Sequence, residues 1–126
     1  EVAFGEEVIQ ALPDAAFLVN ASNDAWFGDS LAPHQHLEIA RMRALETGRY
    51  LVGASNTGIS ALIGPGGDIL ARSPAFEQHV LSGAVTPMGG ATPYSRFGNS
   101  PLVLLSATPL LFSLALAVAG KHRVTG

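Results

Sequence analysis

The sequence contains no cysteine, and its single lysine, Lys121, lies near the C-terminus. Without cysteine, the chain itself can form no disulfide, no thiolate metal site and no thiol nucleophile. Residues 1–120 also lack an amine side chain that could form a Schiff base or stabilise an oxyanion. The lack of cysteine leaves the compartment open, because both reducing and oxidising compartments tolerate it.

Positive charge is scarce as well. The formal net charge is −3 at pH 7, and charged residues make up 13% of the 126 residues. The basic residues are scattered and form no stripe that would follow a phosphate backbone. We therefore expect no nucleic-acid partner.

Motifs for a metal, a bound phosphate or a serine nucleophile are missing or incomplete. Gly64–Gly67 has neither the lysine nor the following helix of a phosphate-binding loop, so a hairpin turn is the better interpretation. No G-x-S-x-G sequence is present, which argues against a serine hydrolase. His34 and His36 are two residues apart and would point to different faces of a helix. We expect neither a metal nor a cofactor.

An uncharged apolar run at residues 101–120 is present. At about 1.5 Å per residue, a helix of this length spans roughly 30 Å, the thickness of the hydrocarbon core of a bilayer. We therefore expect a transmembrane helix. A Gly/Pro-rich linker at residues 87–100 precedes it, and the basic cluster Lys121–Arg123 follows it. The positive-inside rule then places residues 121–126 in the cytoplasm and residues 1–86 outside it.

Hydrophobic patterning before that run predicts an α/β domain. Helices are predicted at Gly5–Leu12 and Pro33–Thr47, and the buried stripe of the second helix consists of Leu37, Ala40, Ala44 and Leu45. Short apolar runs predict five strands, at Ala15–Val19, Tyr50–Ala54, Ile59–Ile63, Asp68–Ala71 and His79–Val85. The first of these is apolar throughout, which is typical of a buried strand. This order describes half of a layered domain whose sheet continues elsewhere, and we expect the chain to be a C-terminal fragment.

The second predicted helix also carries charged residues. Arg41 and Arg43 are two apart and so diverge on the helix. Each has a glutamate three residues away, Glu38 and Glu46 respectively, which predicts surface ion pairs of a few tenths of a kcal/mol.

A polar loop, Asn20–Ser30, follows the first predicted strand. In open α/β sheets, ligands bind at the carboxyl ends of the strands, which favours a ligand-binding loop. A second interpretation stays open from the residues alone. In it, the Asn and Asp side chains make local turns, while Trp26 and Phe27 pack against the edge of the core.

Several segments together resemble the C-terminal part of bacterial apolipoprotein N-acyltransferases. They are Asn20–Gly28, Pro33–His36, Ala40–Glu46, Gly48–Arg49, Ser55–Gly58, Gly64–Gly67, Thr92–Tyr94, Arg96 and Gly98–Asn99. The family consists of multi-span inner-membrane enzymes whose periplasmic domain belongs to the nitrilase (carbon-nitrogen hydrolase) superfamily, with an αββα sandwich fold. The resemblance implies acyl transfer from a phospholipid to the N-terminal amine of a diacylglyceryl-cysteine lipoprotein, through a cysteine thioester. It also implies a globular part that is periplasmic and attached to the inner membrane.

The family's nucleophilic cysteine, glutamate base and oxyanion-stabilising lysine all lie outside this sequence, so we expect the chain alone to be inactive. The cysteine stands in a Cys-aromatic-Glu motif whose glutamate matches Glu1. The resemblance therefore implies that Glu1 is a supporting carboxylate close to the nucleophile. It does not imply that Glu1 is the general base.

The resemblance further implies a set of residues that line or buttress the active-site cleft: Asn23, Asp24, Trp26 and Phe27. The large apolar face of Trp26 suits it to be a wall for an acyl chain. Asn56 and Gly58 would form a tight loop near the same cleft. For Gly58 a structural alternative stays open, namely a turn that requires positive φ.

Two other functions stay open. One is a membrane-tethered carbon-nitrogen hydrolase that cleaves small amides with the same machinery, which the terminal apolar run disfavours. The other is a non-catalytic, membrane-anchored module that binds a partner through an exposed sheet edge. The lack of cysteine favours this module, but a half-domain with an unpaired edge tends to aggregate rather than bind selectively.

Overall fold

A computed structural model describes residues 2–109 and 113. The chain divides into two compact units, Glu1–Arg96 and Phe97–Gly126. The first unit is a mixed α/β domain, as the sequence predicts. Its helices and strands are α1 (Gly5–Val8), a 3-10 turn (Ile9–Ala11), β1 (Leu18–Ser22), a 3-10 turn (Ala25–Phe27), α2 (Ala32–Thr47), β2 (Leu51–Ser55), β3 (Ala61–Ile63), β4 (Ile69–Arg72) and α3 (Pro93–Phe97).

The strands form one sheet in the order β1-β2-β3-β4. β1 runs parallel to β2, with Leu18 opposite Leu51, whereas β2–β3 and β3–β4 are antiparallel pairs. A parallel pair requires a crossover connection, and α2 provides it. Gly64–Gly67 forms the predicted hairpin turn, which the Gly64 N–H closes by donating to the Asp68 carbonyl at 2.8 Å.

α2 packs against the sheet through the predicted stripe, with one exception. Leu37, Ala40 and Ala44 are buried with Leu51 and Ile63 in the core. Leu45 is 50% exposed, so its predicted burial is wrong. The stripe continues instead through Thr47, whose hydroxyl donates to the Arg43 carbonyl at 2.7 Å and so can be buried without an unsatisfied donor.

The ends of α2 match the sequence signals. Pro33 lies in the first turn, where its missing N–H costs no hydrogen bond. Gly48 ends the helix in the left-handed conformation, with φ 63°, and its N–H donates to the Leu45 carbonyl at 3.3 Å.

β1 differs from its prediction in both position and burial. It begins three residues later than Ala15–Val19 and ends at Ser22, and its side chains alternate between half-buried and exposed. Val19 is 69% exposed, so the strand is not buried on both faces. The Ala15 carbonyl accepts a hydrogen bond from Arg49 instead of joining the ladder. The shift brings Asn20 and Ser22 into the strand.

The predicted strand His79–Val85 is wrong, because this segment forms neither a helix nor a strand. Its side chains are mostly exposed, and no strand of the described residues pairs with it. The chain beyond it is held by a hydrogen bond from the Met88 N–H to the Ala16 carbonyl, at 2.9 Å. The predicted linker at 87–100 is also partly regular, since it includes α3.

In the second unit, residues 100–109 and 113 are helical. Much of the predicted transmembrane helix at 101–120, and all of residues 121–126, lie outside the described residues. Within the part that the structure describes, no helix has the length and apolar character needed to cross a membrane.

The two predicted ion pairs of α2 have different environments. Arg41 and Glu38 form an exposed pair at 2.9 Å, as predicted. Arg43 and Glu46 lie 3.1 Å apart, but their side chains are only 14% and 18% exposed, so the prediction of a surface pair is wrong for them. Gly5 covers the Arg43 guanidinium so closely that a Cβ at Gly5 would collide with it. Burial raises the pKa of Glu46, and the nearby Arg43 charge partly offsets that rise.

Arg49, two residues before β2, is only 2% exposed. Its guanidinium donates to backbone carbonyls: Nε to Ala15 and Nη2 to Gly90, each at 2.7 Å, and Nη1 to Gly89 at 3.3 Å. These bonds join the segment before β1 to the loop before α3. A buried guanidinium is stable only when its donors are satisfied in this way.

Replacing Arg49 with methionine keeps an apolar stem but removes every donor. The carbonyls of Ala15 and Gly90 then lose their partners, and we expect the free energy of unfolding to fall by about 2 kcal/mol or more. The matched control is Arg72→Met at the exposed end of β4, for which we expect a change below about 0.5 kcal/mol. Urea denaturation of both variants measures the difference, and equal losses would contradict the role of Arg49.

Candidate functional site

Polar side chains meet at the carboxyl ends of β1 and β2. The two parallel strands end in register, with Ser22 opposite Ser55. Asn23 and Asp24 follow β1, and Asn56 follows β2. The carboxyl ends of adjacent parallel strands share one edge of a sheet, so the two loops lie side by side.

Asp24 is the centre of this cluster, and it is only 3% exposed. Its Oδ2 accepts hydrogen bonds from the hydroxyls of Ser55, at 2.8 Å, and Ser22, at 3.5 Å. Its Oδ1 lies 2.8 Å from Nδ1 of His36 on α2. A buried carboxylate is costly unless such partners satisfy it. Asp24 therefore connects β1, β2 and α2.

A pair of asparagines links the two loops. Oδ1 of Asn56 accepts hydrogen bonds from the backbone N–H of Asp24, at 3.2 Å, and of Thr57, at 2.8 Å. Nδ2 of Asn56 donates to Oδ1 of Asn23 at 2.8 Å, and that oxygen also accepts from the Ala25 N–H at 3.2 Å. The loop after β1 thus keeps its shape through contacts with the loop after β2.

Gly58 comes close to Asp24, although it does not have positive φ. The alternative of a turn that needs positive φ is therefore wrong. A Cβ at Gly58 would collide with the Asp24 carboxylate and would lie 2.7 Å from the Ser55 hydroxyl oxygen. The Gly58 N–H donates to that hydroxyl at 3.1 Å. Glycine is required at this position because there is no room for a side chain.

A cavity of about 470 Å³ opens beside the cluster. It is lined by residues 20–24, by Trp26 and Phe27, by His36 and Ile39 of α2, and by residues 2 and 3. Trp26 is 86% exposed, so the interpretation in which it packs against the edge of the core is wrong. Trp26 and Phe27 give the cavity an apolar wall, and Asn23 and Asp24 give it a polar one.

Comparison with known proteins agrees with this architecture. The sequence model of the carbon-nitrogen hydrolase family matches residues 1–94. The chain belongs to the carbon-nitrogen hydrolase family. Its similarity to one branch of that family is high, and the resemblance to apolipoprotein N-acyltransferases is confirmed.

Three curated relatives illustrate that similarity, and each is named apolipoprotein N-acyltransferase. The protein of Methylococcus capsulatus is 54% identical over 107 residues, which is 85% of this chain and 21% of the relative. That of Nitrosomonas europaea is 49% identical over 123 residues, 98% of this chain and 25% of the relative. That of Haemophilus influenzae is 49% identical over 118 residues, which is 93% of this chain and 23% of the relative. The chain therefore spans about a fifth to a quarter of the length of these relatives.

The structure brings most of the predicted site residues together. Asn23, Asp24, Trp26 and Phe27 line the cavity. Asn56 and Gly58 do not line it, but Asn56 hydrogen-bonds to Asn23 and Gly58 lies close to Asp24. Glu1 lies outside the described residues. The function of each of these residues stays a prediction.

Sequence reasoning missed three members of the cluster, Ser22, Ser55 and His36. The spacing of α2 contained a signal for His36, which is three residues after buried Pro33 and four before buried Ala40. His36 thus lies at the edge of the buried stripe, while His34 is exposed. In the described part of the chain, no three His, Asp or Glu side chains cluster closely enough to hold a metal ion.

The chemistry of this cluster is binding and positioning. The Asp24 carboxylate only accepts hydrogen bonds when ionised, and the Ser22 and Ser55 hydroxyls donate to it. Both hydroxyls thus serve as hydrogen-bond donors to a buried carboxylate that also contacts His36. The cluster fixes one wall of the cavity.

Substituting Gly58 with alanine tests the close approach to Asp24. We expect the free energy of unfolding to fall by about 2 kcal/mol, since the added methyl group displaces the carboxylate from its partners. Gly89→Ala is the matched control, because a Cβ there meets nothing within 4 Å, and we expect its stability to change by less than about 1 kcal/mol. Denaturation curves that give equal losses for the two variants would contradict the steric requirement at Gly58.

Proposed function

We propose that this chain is the C-terminal part of an apolipoprotein N-acyltransferase. The full-length enzyme would transfer an acyl chain from a phospholipid to the N-terminal amine of a diacylglyceryl-cysteine lipoprotein. Identities of 49–54% over 85–98% of the chain support this assignment. The observation that carries it is the cavity, which combines an apolar wall with a polar one and begins at the first described residues.

The position of the nucleophile follows from the motif. If Glu1 is the glutamate of a Cys-aromatic-Glu motif, the cysteine precedes Val2 by three residues. Consecutive Cα atoms are about 3.8 Å apart, so that cysteine lies within roughly 11 Å of the Val2 Cα. Val2 and Ala3 line the cavity. The proposed thiol therefore lies close to the cavity that Trp26 and Phe27 border.

The reaction would proceed in two steps at that thiol. The base takes the thiol proton, and the thiolate attacks the acyl ester of the phospholipid. The ester C–O bond then breaks, the base returns the proton to the leaving oxygen, and a lysophospholipid leaves. The lipoprotein amine then attacks the thioester, loses a proton to the base, and the C–S bond breaks to release the thiolate. Upstream sequence would supply the glutamate base and the lysine that stabilises the oxyanion.

This chain would supply the binding surface for the acyl donor. A volume of about 470 Å³ is within the usual range of small-molecule sites. The exposed rings of Trp26 and Phe27 suit an acyl chain, whereas the Asn23 side of the cavity suits the polar ester and headgroup region. Glu1 would act as a supporting carboxylate next to the cysteine.

The same proposal includes the rest of the architecture. The described sheet would be half of an αββα sandwich that upstream sequence completes. Residues 101–120 would form the membrane helix, supported by their lack of charge and by the basic cluster that follows. Residues 121–126 would then be cytoplasmic, and residues 1–86 would lie in the periplasm beside the inner membrane.

The test is acyl transfer by the purified full-length protein that contains this sequence. Phospholipid with labelled acyl chains is mixed with a synthetic diacylglyceryl-cysteine peptide, and mass spectrometry locates the label. We expect an amide-linked acyl chain on the peptide amine, and none when the cysteine of the motif is replaced by alanine. The 126-residue chain alone should be inactive.

Two results would contradict the proposal. Hydrolysis of small amides without transfer to the peptide would identify a membrane-tethered amidase instead. Neither hydrolysis nor transfer by a folded full-length protein would leave the non-catalytic binding module as the better interpretation.

A further inference from the structure

His36 makes two contacts that reach from α2 into the loop after β1. Its Nδ1 lies 2.8 Å from Oδ1 of Asp24. Its ring meets the ring of Phe27 edge to face, with the centroids 5.4 Å apart and an interplanar angle of 86°. The imidazole is 36% exposed and itself lines the cavity. One side chain of α2 therefore touches both the polar and the apolar wall.

The chemistry of Asp24 fixes the direction of the first contact. An ionised carboxylate has only acceptors, so Nδ1 of His36 donates its proton to Oδ1. In a neutral ring, Nε2 then carries no proton. Oδ2 is satisfied separately by the Ser55 hydroxyl, at 2.8 Å. His36 is thus the partner that α2 provides for one oxygen of a buried charge.

Asp24 in turn holds the residues that form the apolar wall. Its carbonyl accepts a hydrogen bond from the Phe27 N–H, at 3.1 Å, which closes the 3-10 turn Ala25–Phe27. Its own N–H donates to Asn56 at 3.2 Å. Trp26, at the middle of this turn, is 86% exposed and so has little packing to orient it. The orientation of the turn depends on the polar contacts at its base.

The fold of α2 does not depend on His36. The helix is held to the sheet by Leu37, Ala40 and Ala44, all buried in the core. Removing the imidazole leaves those contacts in place. We therefore expect the effect of its loss to be confined to the Asp24 carboxylate and the turn that follows it.

We infer that His36 is a positioning residue for the acyl donor: through its hydrogen bond to Asp24 and its contact with Phe27, it orients the Trp26–Phe27 wall against which the phospholipid acyl chain binds. This role rests on the proposed function. It concerns donor binding, and it assigns His36 no part in proton transfer to or from the reacting groups.

Three variants of the full-length protein test the role. His36→Leu removes the donor but keeps an apolar side chain. His36→Asn restores a donor, because its amide nitrogen can occupy nearly the position of Nδ1. The matched control is His34→Leu, an exposed histidine on the same helix that lies away from Asp24.

The first readout is independent of catalysis. Hydrogen exchange followed by mass spectrometry reports the protection of the backbone amides at residues 23–28, among them the N–H groups of Asp24, Ala25 and Phe27. We expect several-fold faster exchange of this peptide in His36→Leu, near-normal exchange in His36→Asn, and no change in His34→Leu. Exchange in β2 and β3 should stay unchanged.

The second readout separates positioning from general damage. In a two-step reaction, kcat/KM for the phospholipid reports the first step, and kcat/KM for the acceptor peptide reports the second. We expect His36→Leu to lower kcat/KM for the phospholipid by about tenfold, while the value for the peptide stays unchanged. His36→Asn should recover most of the loss. A variant that was simply less folded would lose both values equally.

The outcomes distinguish the two claims. A working acyltransferase in which His36→Leu alters neither exchange nor donor kinetics overturns the role of His36 and leaves the proposed function standing. Equal losses for donor and peptide also overturn it. Absence of acyl transfer by the unsubstituted full-length protein overturns the proposed function, and with it the role of His36 toward an acyl donor.

Discussion

The buried carboxylate of Asp24 is the constraint on which the site depends. Removing a charge from water is costly, and the cost is offset only when every oxygen has a partner. The partners here come from three elements: Ser22 and Ser55 at the ends of β1 and β2, and His36 on α2. Each of these elements must therefore stay within hydrogen-bond distance of Asp24. Gly58 must lack a side chain, because a Cβ there would collide with the Asp24 carboxylate.

A second buried charge lies at the opposite end of the same strand pair. Arg49 lies two residues before β2, and its guanidinium binds the carbonyl of Ala15 ahead of β1 and that of Gly90 ahead of α3. Each charge has a partner that is distant in sequence, Ser55 for Asp24 and Ala15 for Arg49. Asp24 and Arg49 thus fix the two ends of the parallel pair that the α2 crossover joins. The rigid pair holds the exposed Trp26–Phe27 turn in place at its carboxyl end.

The sequence predicts those parts of the fold that depend on local signals. α2 has Pro33 at its start and Gly48 at its end, and the hairpin has four turn-forming residues, Gly64–Gly67. Pairing between distant segments was harder to predict. β1 is displaced because Arg49 takes the Ala15 carbonyl, and His79–Val85 has the composition of a strand but no pairing partner in the described sheet. The same holds for the site. The sequence predicts the two loops that form it, but not the contact between Asp24 and His36, because these residues belong to different elements that only the tertiary fold brings together.

A double-mutant cycle between Asp24 and His36 tests most directly whether α2 holds the cavity wall through the buried carboxylate. The free energies of unfolding of Asp24→Ala, His36→Leu and the double variant are compared with that of the full-length parent. The hydrogen bond predicts a coupling energy of about 1 kcal/mol or more, because the second substitution costs little once the first partner is gone. Losses that add to within about 0.5 kcal/mol would show that the two side chains act independently, and would contradict this arrangement of the site.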